Sequence, residues 1–189
     1  MIKYLDSAKR QFTMYKQLGE KAMAQMSDEQ LQWQANEDSN SVAAIVKHMW
    51  GNMMSRWTDF LTTDGEKPWR QRDAEFENDV VGREQIMQKW QEGWQCLFDA
   101  LDIITDNDLD KIIYIRNEGH TILEAVNRQI SHYSYHVGQI VYIAKLRSTD
   151  SWQSLSIPRN ASAQYNAGKF AQEKQVRHFS EDWTDKDKK

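Results

Sequence analysis

Apolar residues recur every three or four positions in four long segments, and this spacing predicts four long helices. The predicted helices cover about residues 2–26, 42–63, 83–104 and 121–146. Capping-box patterns at Ser27 and Thr121 indicate where a short helix and the fourth long helix begin. The periodicity therefore predicts an all-α fold, with four long helices in a bundle and short extra helices beside them.

The connections between these helices differ in length and character. Residues 62–81 form a long polar segment, typical of a functional loop or of a crossover between helix ends that are not adjacent. Its charges indicate a solvated loop, with substrate gating as the alternative. Residues 105–120 lack helical periodicity, but KIIYIR predicts a short extended piece and Asn117-Glu118-Gly119 a turn. We expect one bundle domain over residues 1–160.

The C-terminal residues 161–189 are predicted to form an extension of this domain. A weak helical pattern covers about residues 160–176. The last ten residues, SEDWTDKDKK, are mostly charged and predict a solvated tail.

Composition and charge exclude several classes of protein. The longest apolar run is five residues, at positions 42–46, whereas a membrane helix needs about 20. The N-terminus carries charges where a secretion signal needs an apolar stretch, and the single cysteine fits a reducing compartment, so we expect a cytoplasmic protein. A net charge of −4 lacks the bulk positive charge of a nucleic-acid binder. A small-molecule substrate is the remaining expectation.

Two of the five histidines have the spacing of metal ligands. His132 and His136 lie four residues apart in the fourth helix, so their imidazoles are neighbours and can chelate one ion. His48 in the second helix is the natural third ligand, and three protein ligands with an open position are typical of catalytic zinc centres. His120 and His178 are weaker candidates. The helical angles agree equally with a cleft and with half-exposed or hydrogen-bonded histidines that bind no metal.

Two segments that carry these histidines resemble motifs of the DinB-like superfamily. They read KHMWGNMMSRWTDFL and SHYSYHVGQI, and the matching positions are His48, Gly51, Asn52, His132, His136, Gly138 and Gln139. Residues 55–77 resemble one bacterial branch of unassigned function, and the resemblance covers about residues 1–160. It implies a four-helix bundle in up-down-down-up order, with residues 62–81 as a long crossover, and a homodimer. It also implies a divalent Zn, Ni or Fe held by His48, His132 and His136.

The resemblance further implies a chemistry. Superfamily members of known activity use a low-molecular-weight thiol such as bacillithiol, mycothiol or glutathione. The leading hypothesis is therefore a metal-dependent thiol S-transferase whose open metal position takes the thiol. Asn52 and Gln129, three or four residues from a ligand, are candidate acceptors for a histidine N–H. Arg128 is a candidate for pairing with a substrate carboxylate, against the alternative of a solvated surface arginine.

Two other hypotheses stay open. In a metal-dependent hydrolase the open position would hold water, and Asp59 or Glu124 would act as general base. In a non-catalytic stress-response or binding bundle, the site would be structural or empty. Cys96 is predicted to be a buried hydrophobe, because no motif supplies it with a base, so a reacting thiol would arrive with the substrate. Trp69 is predicted to cap the cleft.

Overall fold

Four long helices pack around one hydrophobic core in the computed structural model, which describes residues 3–148 and 152–184. They are α1 (Tyr4–Met23), α3 (Val42–Trp57), α4 (Arg83–Asp102) and α5 (Ile122–Arg147). Two short helices, α2 (Asp28–Gln32) and α6 (Ser162–Phe170), and a hairpin of β1 (Ile112–Ile115) and β2 (Glu118–Thr121) also lie in this part of the chain. The protein is mostly helical, as the apolar periodicity predicts.

Among these residues, no helix combines the length and the apolar character that crossing a bilayer requires.

Aromatic residues from three of the long helices meet in the core. Phe12 of α1, Trp94 of α4 and Tyr133 of α5 are fully buried, with ring centroids 5.6–6.2 Å apart. The Tyr133 hydroxyl donates a hydrogen bond to Asn52 Oδ1 of α3 at 3.0 Å. Because Tyr133 is buried in the core and hydrogen-bonded to α3, the residue before it on α5, His132, is held beside α3.

Side-chain caps fix the starts of the helices that the sequence predicts. Thr121 Oγ1 accepts from the backbone N–H of Glu124, and the Glu124 carboxylate accepts from the backbone N–H of Thr121. Ser27 and Gln30 form the same reciprocal pair at α2. The predicted capping boxes are therefore confirmed.

Helix α3 ends at Trp57, several residues before the expected stop at Asp64-Gly65. Thr58 is extended, and Asp59 has the left-handed backbone angle φ 48°, which breaks the helix. Phe60 still lies in the core, 2% exposed, so its apolar character reflects burial in a turn rather than a longer helix.

A β-hairpin forms much of the segment 105–120, and its first strand, β1, is the short extended piece that KIIYIR predicts. Arg116 and Asn117 both have positive φ, 57° and 60°, which is the two-residue turn of type I′ that right-twisted strands favour. The turn lies one residue earlier than predicted, so Gly119 belongs to β2. The Asp64 carboxylate accepts from the backbone N–H groups of Arg116 and Asn117, both at 2.8 Å, and anchors the hairpin to the segment after α3.

The predicted crossover, residues 62–81, packs along α3 and is not simply solvated. Ser55 Oγ donates to the Gly65 carbonyl at 2.8 Å, and Lys47 Nζ donates to Asp79 Oδ1 at 2.5 Å. Between these contacts Glu75 is only 4% exposed. The prediction of a solvated loop is wrong for this part, because polar groups of α3 pair with charges that pattern alone assigns to water.

The predicted solvated tail also packs on the helices over the residues that the structure describes. Ser180 is 2% exposed, and its Oγ lies within hydrogen-bond distance, 2.7 Å, of Nδ1 of His178. The other ring nitrogen of His178, Nε2, lies 3.0 Å from Ser7 Oγ of α1. Arg10 of α1 pairs with Glu181 at 2.9 Å. These contacts hold residues 178–184 against α1, whereas residues 185–189 of the predicted tail lie outside the described residues.

Candidate metal centre

Three imidazoles from two helices converge on one point. His48 comes from the middle of α3, and His132 and His136 come from successive turns of α5. The Nε2 atom of His132 lies 3.4 Å from that of His48 and 3.0 Å from that of His136. One ligand atom from each ring lies within 4.8 Å of the others, so the three side chains could hold one metal ion. His48 and His136 are buried and His132 is half-buried.

A carboxylate fixes the orientation of the His48 ring. Its Nδ1 lies 2.9 Å from Glu75 Oε2, and a carboxylate oxygen can only accept a hydrogen bond. Nδ1 therefore carries the proton, and Nε2 presents its lone pair toward the other histidines. Phe76 stacks on the same ring, with centroids 4.9 Å apart, and limits its rotation.

Two glutamines fix the orientation of the His132 and His136 rings on α5. Gln139 Oε1 lies 2.8 Å from Nδ1 of His136, and Gln129 Oε1 lies 3.4 Å from Nδ1 of His132. The Gln139 amide nitrogen donates to the Tyr135 hydroxyl at 3.2 Å, which leaves its oxygen to accept from His136. All three rings therefore direct an Nε2 lone pair inward.

This donor set fits a divalent ion. Neutral imidazole nitrogens with a protein acceptor behind the other ring nitrogen are the usual histidine ligands of zinc. Two such nitrogens bound tetrahedrally at the usual bond length would lie about 3.3 Å apart. The observed separations of 3.0 and 3.4 Å bracket that value.

Burial and neighbouring charge keep the α5 imidazoles neutral. Burial, with the nearby His136 and His48 rings, lowers the pKa of His132 to about 3. Burial is also the main cause that lowers the pKa of His136 to about 4, although the Gln139 hydrogen bond opposes it. Both rings are unprotonated at neutral pH, the form in which imidazole binds a metal.

Glu75 is itself held by an arginine. Arg70 Nε lies 2.7 Å from Glu75 Oε1, and the Arg70 side chain is 2% exposed. Burial alone would raise the pKa of Glu75, but the hydrogen bonds from His48 and Arg70 outweigh it and lower the pKa. Gly51, one helical turn after His48, makes this approach possible, because a Cβ there would overlap the Glu75 carboxylate.

One side of the histidine cluster opens on a cavity of about 230 Å³. His48 and His132 line it, together with Asn52, Gln129 and five arginines. The cluster therefore has protein acceptors behind its rings and free space in front of two of them.

Of the other residues singled out from the sequence, some line the cavity and some lie outside it. Gln129 Oε1 lies 3.4 Å from Nδ1 of His132, and Arg128 is exposed at the cavity wall. Asn52 lines the cavity, but its carbonyl accepts from Tyr133 and not from an imidazole. Trp69 is 53% exposed and lies outside the cavity wall, so the prediction that it caps the cleft is wrong.

The remaining titratable candidates lie elsewhere. His120 is in β2, and His178 bonds to serines of α1 and the C-terminal segment. Glu124 is engaged in the cap of α5, and Asp59 lines a separate groove that also contains Cys96. Cys96 is half-buried at the wall of that groove and not in the core, contrary to the prediction of a buried hydrophobe, and partial burial raises the pKa of its thiol.

Sequence reasoning gave no role at the site to three of its residues, although the motif resemblance includes Gln139. Gln139 follows His136 by three positions, the same one-turn relation that relates Gln129 to His132, so a search for that spacing finds it. Glu75 and Arg70 carry no such signal, because their place depends on how residues 62–81 fold along α3.

Comparison with known proteins gives one match. A family model described as a protein of unknown function (DUF1572) matches residues 1–161. No curated protein and no solved structure matches the chain.

Proposed function

The chain belongs to DUF1572, a family of unknown function, and from that premise we propose a metal-dependent enzyme that transfers a low-molecular-weight thiol to an electrophile. The observation that carries the proposal is the convergence of three imidazole Nε2 atoms, each with a protein acceptor behind its ring and two of the rings lining a cavity. The resemblance of both histidine segments to the DinB-like superfamily supports it. We propose, on the same basis, a DinB-like bundle with up-down-down-up helices.

His48, His132 and His136 would hold the ion, which we propose to be Zn, Ni or Fe. A divalent ion bound there would lower the pKa of a thiol that it contacts, so that the sulfur is a nucleophile at neutral pH. Burial keeps the His132 and His136 imidazoles unprotonated, and Glu75, Gln129 and Gln139 orient the three rings.

The arrangement of carboxylates favours thiol transfer over hydrolysis. A hydrolase of this type needs a general base beside the attacking water. Among the described residues that contact the histidine cluster, Glu75 is the carboxylate, and both of its oxygens already accept from Arg70 or His48. Asp59 and Glu124, the candidates from the sequence, lie elsewhere. A thiolate needs no such base.

The reacting thiol would come with the substrate. Cys96 lies in another groove and contacts Thr58 and the Met53 carbonyl. In the transfer, the substrate sulfur forms a bond to an electrophilic carbon, and the leaving group departs with the bonding electron pair. The thiol proton passes to solvent.

The test is an assay of thiol consumption with an activated aryl chloride, using bacillithiol, mycothiol and glutathione in turn. Zinc-loaded protein should form the thioether and release chloride, and His132→Ala should fall to the uncatalysed rate. Lys145→Ala, an exposed position at the far end of the same helix, should keep full activity. No transfer with any of the three thiols at full metal occupancy would contradict the proposal. Ester hydrolysis that needs His132 but no thiol would favour the hydrolase instead.

A further inference from the structure

Arginines dominate the wall of the cavity beside the histidine cluster. Among the described residues, none that lines it is acidic, and five are arginines that come from α3, the crossover, the hairpin turn and α5. They are Arg56, Arg70, Arg72, Arg116 and Arg128. Four separate parts of the fold thus place positive charge around one space.

The carboxylates behind this wall balance only part of the charge. Glu66 Oε2 accepts from Arg56 at 3.0 Å, from Arg70 at 3.4 Å and from Arg116 at 3.2 Å. Glu75 is the second carboxylate and pairs with Arg70. Five guanidinium groups against these two carboxylates and the exposed Asp73, 3.9 Å from Arg72, leave an excess of two positive charges.

Several of the guanidinium donors are free to bind a ligand. Arg56 is 5% exposed, and its buried Nε has no hydrogen-bond partner within the described part of the chain, which is unfavourable unless a ligand supplies one. Arg128 makes no hydrogen bond or ion pair with the rest of the described chain. Arg72 lies over the Phe76 ring, 5.5 Å from its centroid, and its nearest carboxylate, that of Asp73, is 3.9 Å away and fully exposed.

We propose that this cavity binds the carboxylate or phosphate group of a small anionic substrate. Guanidinium groups match the planar or tetrahedral oxygens of these anions with paired hydrogen bonds. The volume of about 230 Å³ lies below the roughly 300 Å³ at which sites for drug-sized ligands begin, so it suits a small metabolite or the charged end of a larger one. His48 and His132 line the same space, so a bound anion lies beside the histidine cluster.

The inference deepens the proposed function and rests on it for the reacting group of the substrate. The anion site itself can be measured without any reaction and without metal. The direct measurement of anion affinity is a calorimetric titration of the metal-free protein at constant ionic strength. Its probes are inorganic phosphate, succinate and the neutral succinamide. Succinate, phosphate or both should bind, and succinamide should not. The stronger of the two anions identifies the group as carboxylate or phosphate.

Variants show whether the cavity is the place of binding. Arg72 and Arg128 are both exposed and neither donates a hydrogen bond to another described residue, so Arg72→Gln and Arg128→Gln should each fold and weaken anion binding at least about tenfold. Lys145→Gln removes one charge from α5 about 25 Å along the helix from Arg128 and should leave binding unchanged.

Failure of this inference differs from failure of the proposed function. If neither anion binds, or if Lys145→Gln weakens binding as much as Arg128→Gln, the inference is overturned. His136→Ala should lose metal and keep the anion, since His136 does not line the cavity. A protein that binds succinate at the arginines but transfers no thiol would keep this site and contradict only the proposed function.

Discussion

At the scale of single residues, the orientation of three imidazoles is decided by oxygens behind them. Glu75, Gln129 and Gln139 each face an Nδ1, so the Nε2 lone pairs of the cluster face one another at 3.0–3.4 Å. Lone pairs at that range repel unless a cation lies between them. A bound divalent ion removes this repulsion and should therefore also stabilise the folded chain.

Replacing one of these acceptors should weaken metal binding without touching a ligand. Gln139→Ala frees the His136 ring to rotate and to change its protonated nitrogen, so we expect about 10–100-fold weaker zinc binding. Competition with a chromophoric chelator measures the zinc affinity. Gln164→Ala, an exposed glutamine of α6, is the control and should bind zinc like the parent. Equal affinity in the Gln139 and Gln164 variants would show that the amide does not orient His136.

At the scale of elements, the crossover completes the site because it packs closely on α3. Glu75 reaches His48 only across Gly51, whose missing side chain leaves room for the carboxylate. The same segment is held at Lys47 and Ser55, before and after this point of α3. The site therefore depends on the docking of a segment with no long helix of its own.

Two glycine substitutions separate helix propensity from this close approach. Gly51→Ala should lower the free energy of unfolding by about 1–3 kcal/mol, because the added methyl group displaces Glu75, and should weaken zinc binding. Gly138→Ala of α5 meets nothing within 4 Å and should raise stability by about 0.5–1 kcal/mol. Urea unfolding measures the change in the free energy of unfolding for both variants. A Gly51 variant as stable as the Gly138 variant would contradict the packing described for the crossover.

The hairpin is docked by an aspartate, so its docking should depend on pH. Burial opposes ionisation of Asp64, but backbone N–H groups of Asn117, Glu66 and Arg116 outweigh it and lower its pKa from 3.8. A carboxyl whose pKa is lowered by folding stabilises above its ordinary pKa and loses that contribution as the pH falls through the lower folded value. At pH 7, Asp64→Ala should cost about 1–2 kcal/mol of unfolding free energy.

Measuring the free energy of unfolding at several pH values tests the direction of this pH dependence. The difference between the parent and Asp64→Ala should be constant above about pH 5 and shrink as the pH falls below 3.8. Asp110→Ala, at an exposed aspartate just before the hairpin, should leave stability unchanged at every pH. A difference that grows in acid would mean that Asp64 does not dock the hairpin through its ionised form.

At the scale of the whole molecule, regular periodicity made the long helices predictable, while long-range contacts escaped prediction. The caps at Ser27 and Thr121 act within three residues, so the sequence places them correctly. The early end of α3 and the type I′ turn at Arg116 depend on backbone angles that the pattern of residue types does not specify. The packing of Ser180 against α1 depends on contacts between chain ends.

The same division applies to the site. Spacing within α5 pairs His132 with His136, and helix position suggests His48, but nothing local shows that α3 and α5 bring them together. Of the five arginines that line the cavity, the sequence pointed only to Arg128, because the other four come from segments that meet only in the folded chain.

The central claim is that three histidines hold one metal ion, and zinc content after dialysis tests it most directly. The parent should keep one zinc ion per chain, and His136→Ala should lose it, with an affinity reduced by more than the roughly 10–100-fold that loss of an outer partner causes. His178→Ala removes another buried histidine, one that bonds to serines, and should keep the full zinc content. Equal zinc in the parent and the His136→Ala variant, or none in the parent, would contradict the account.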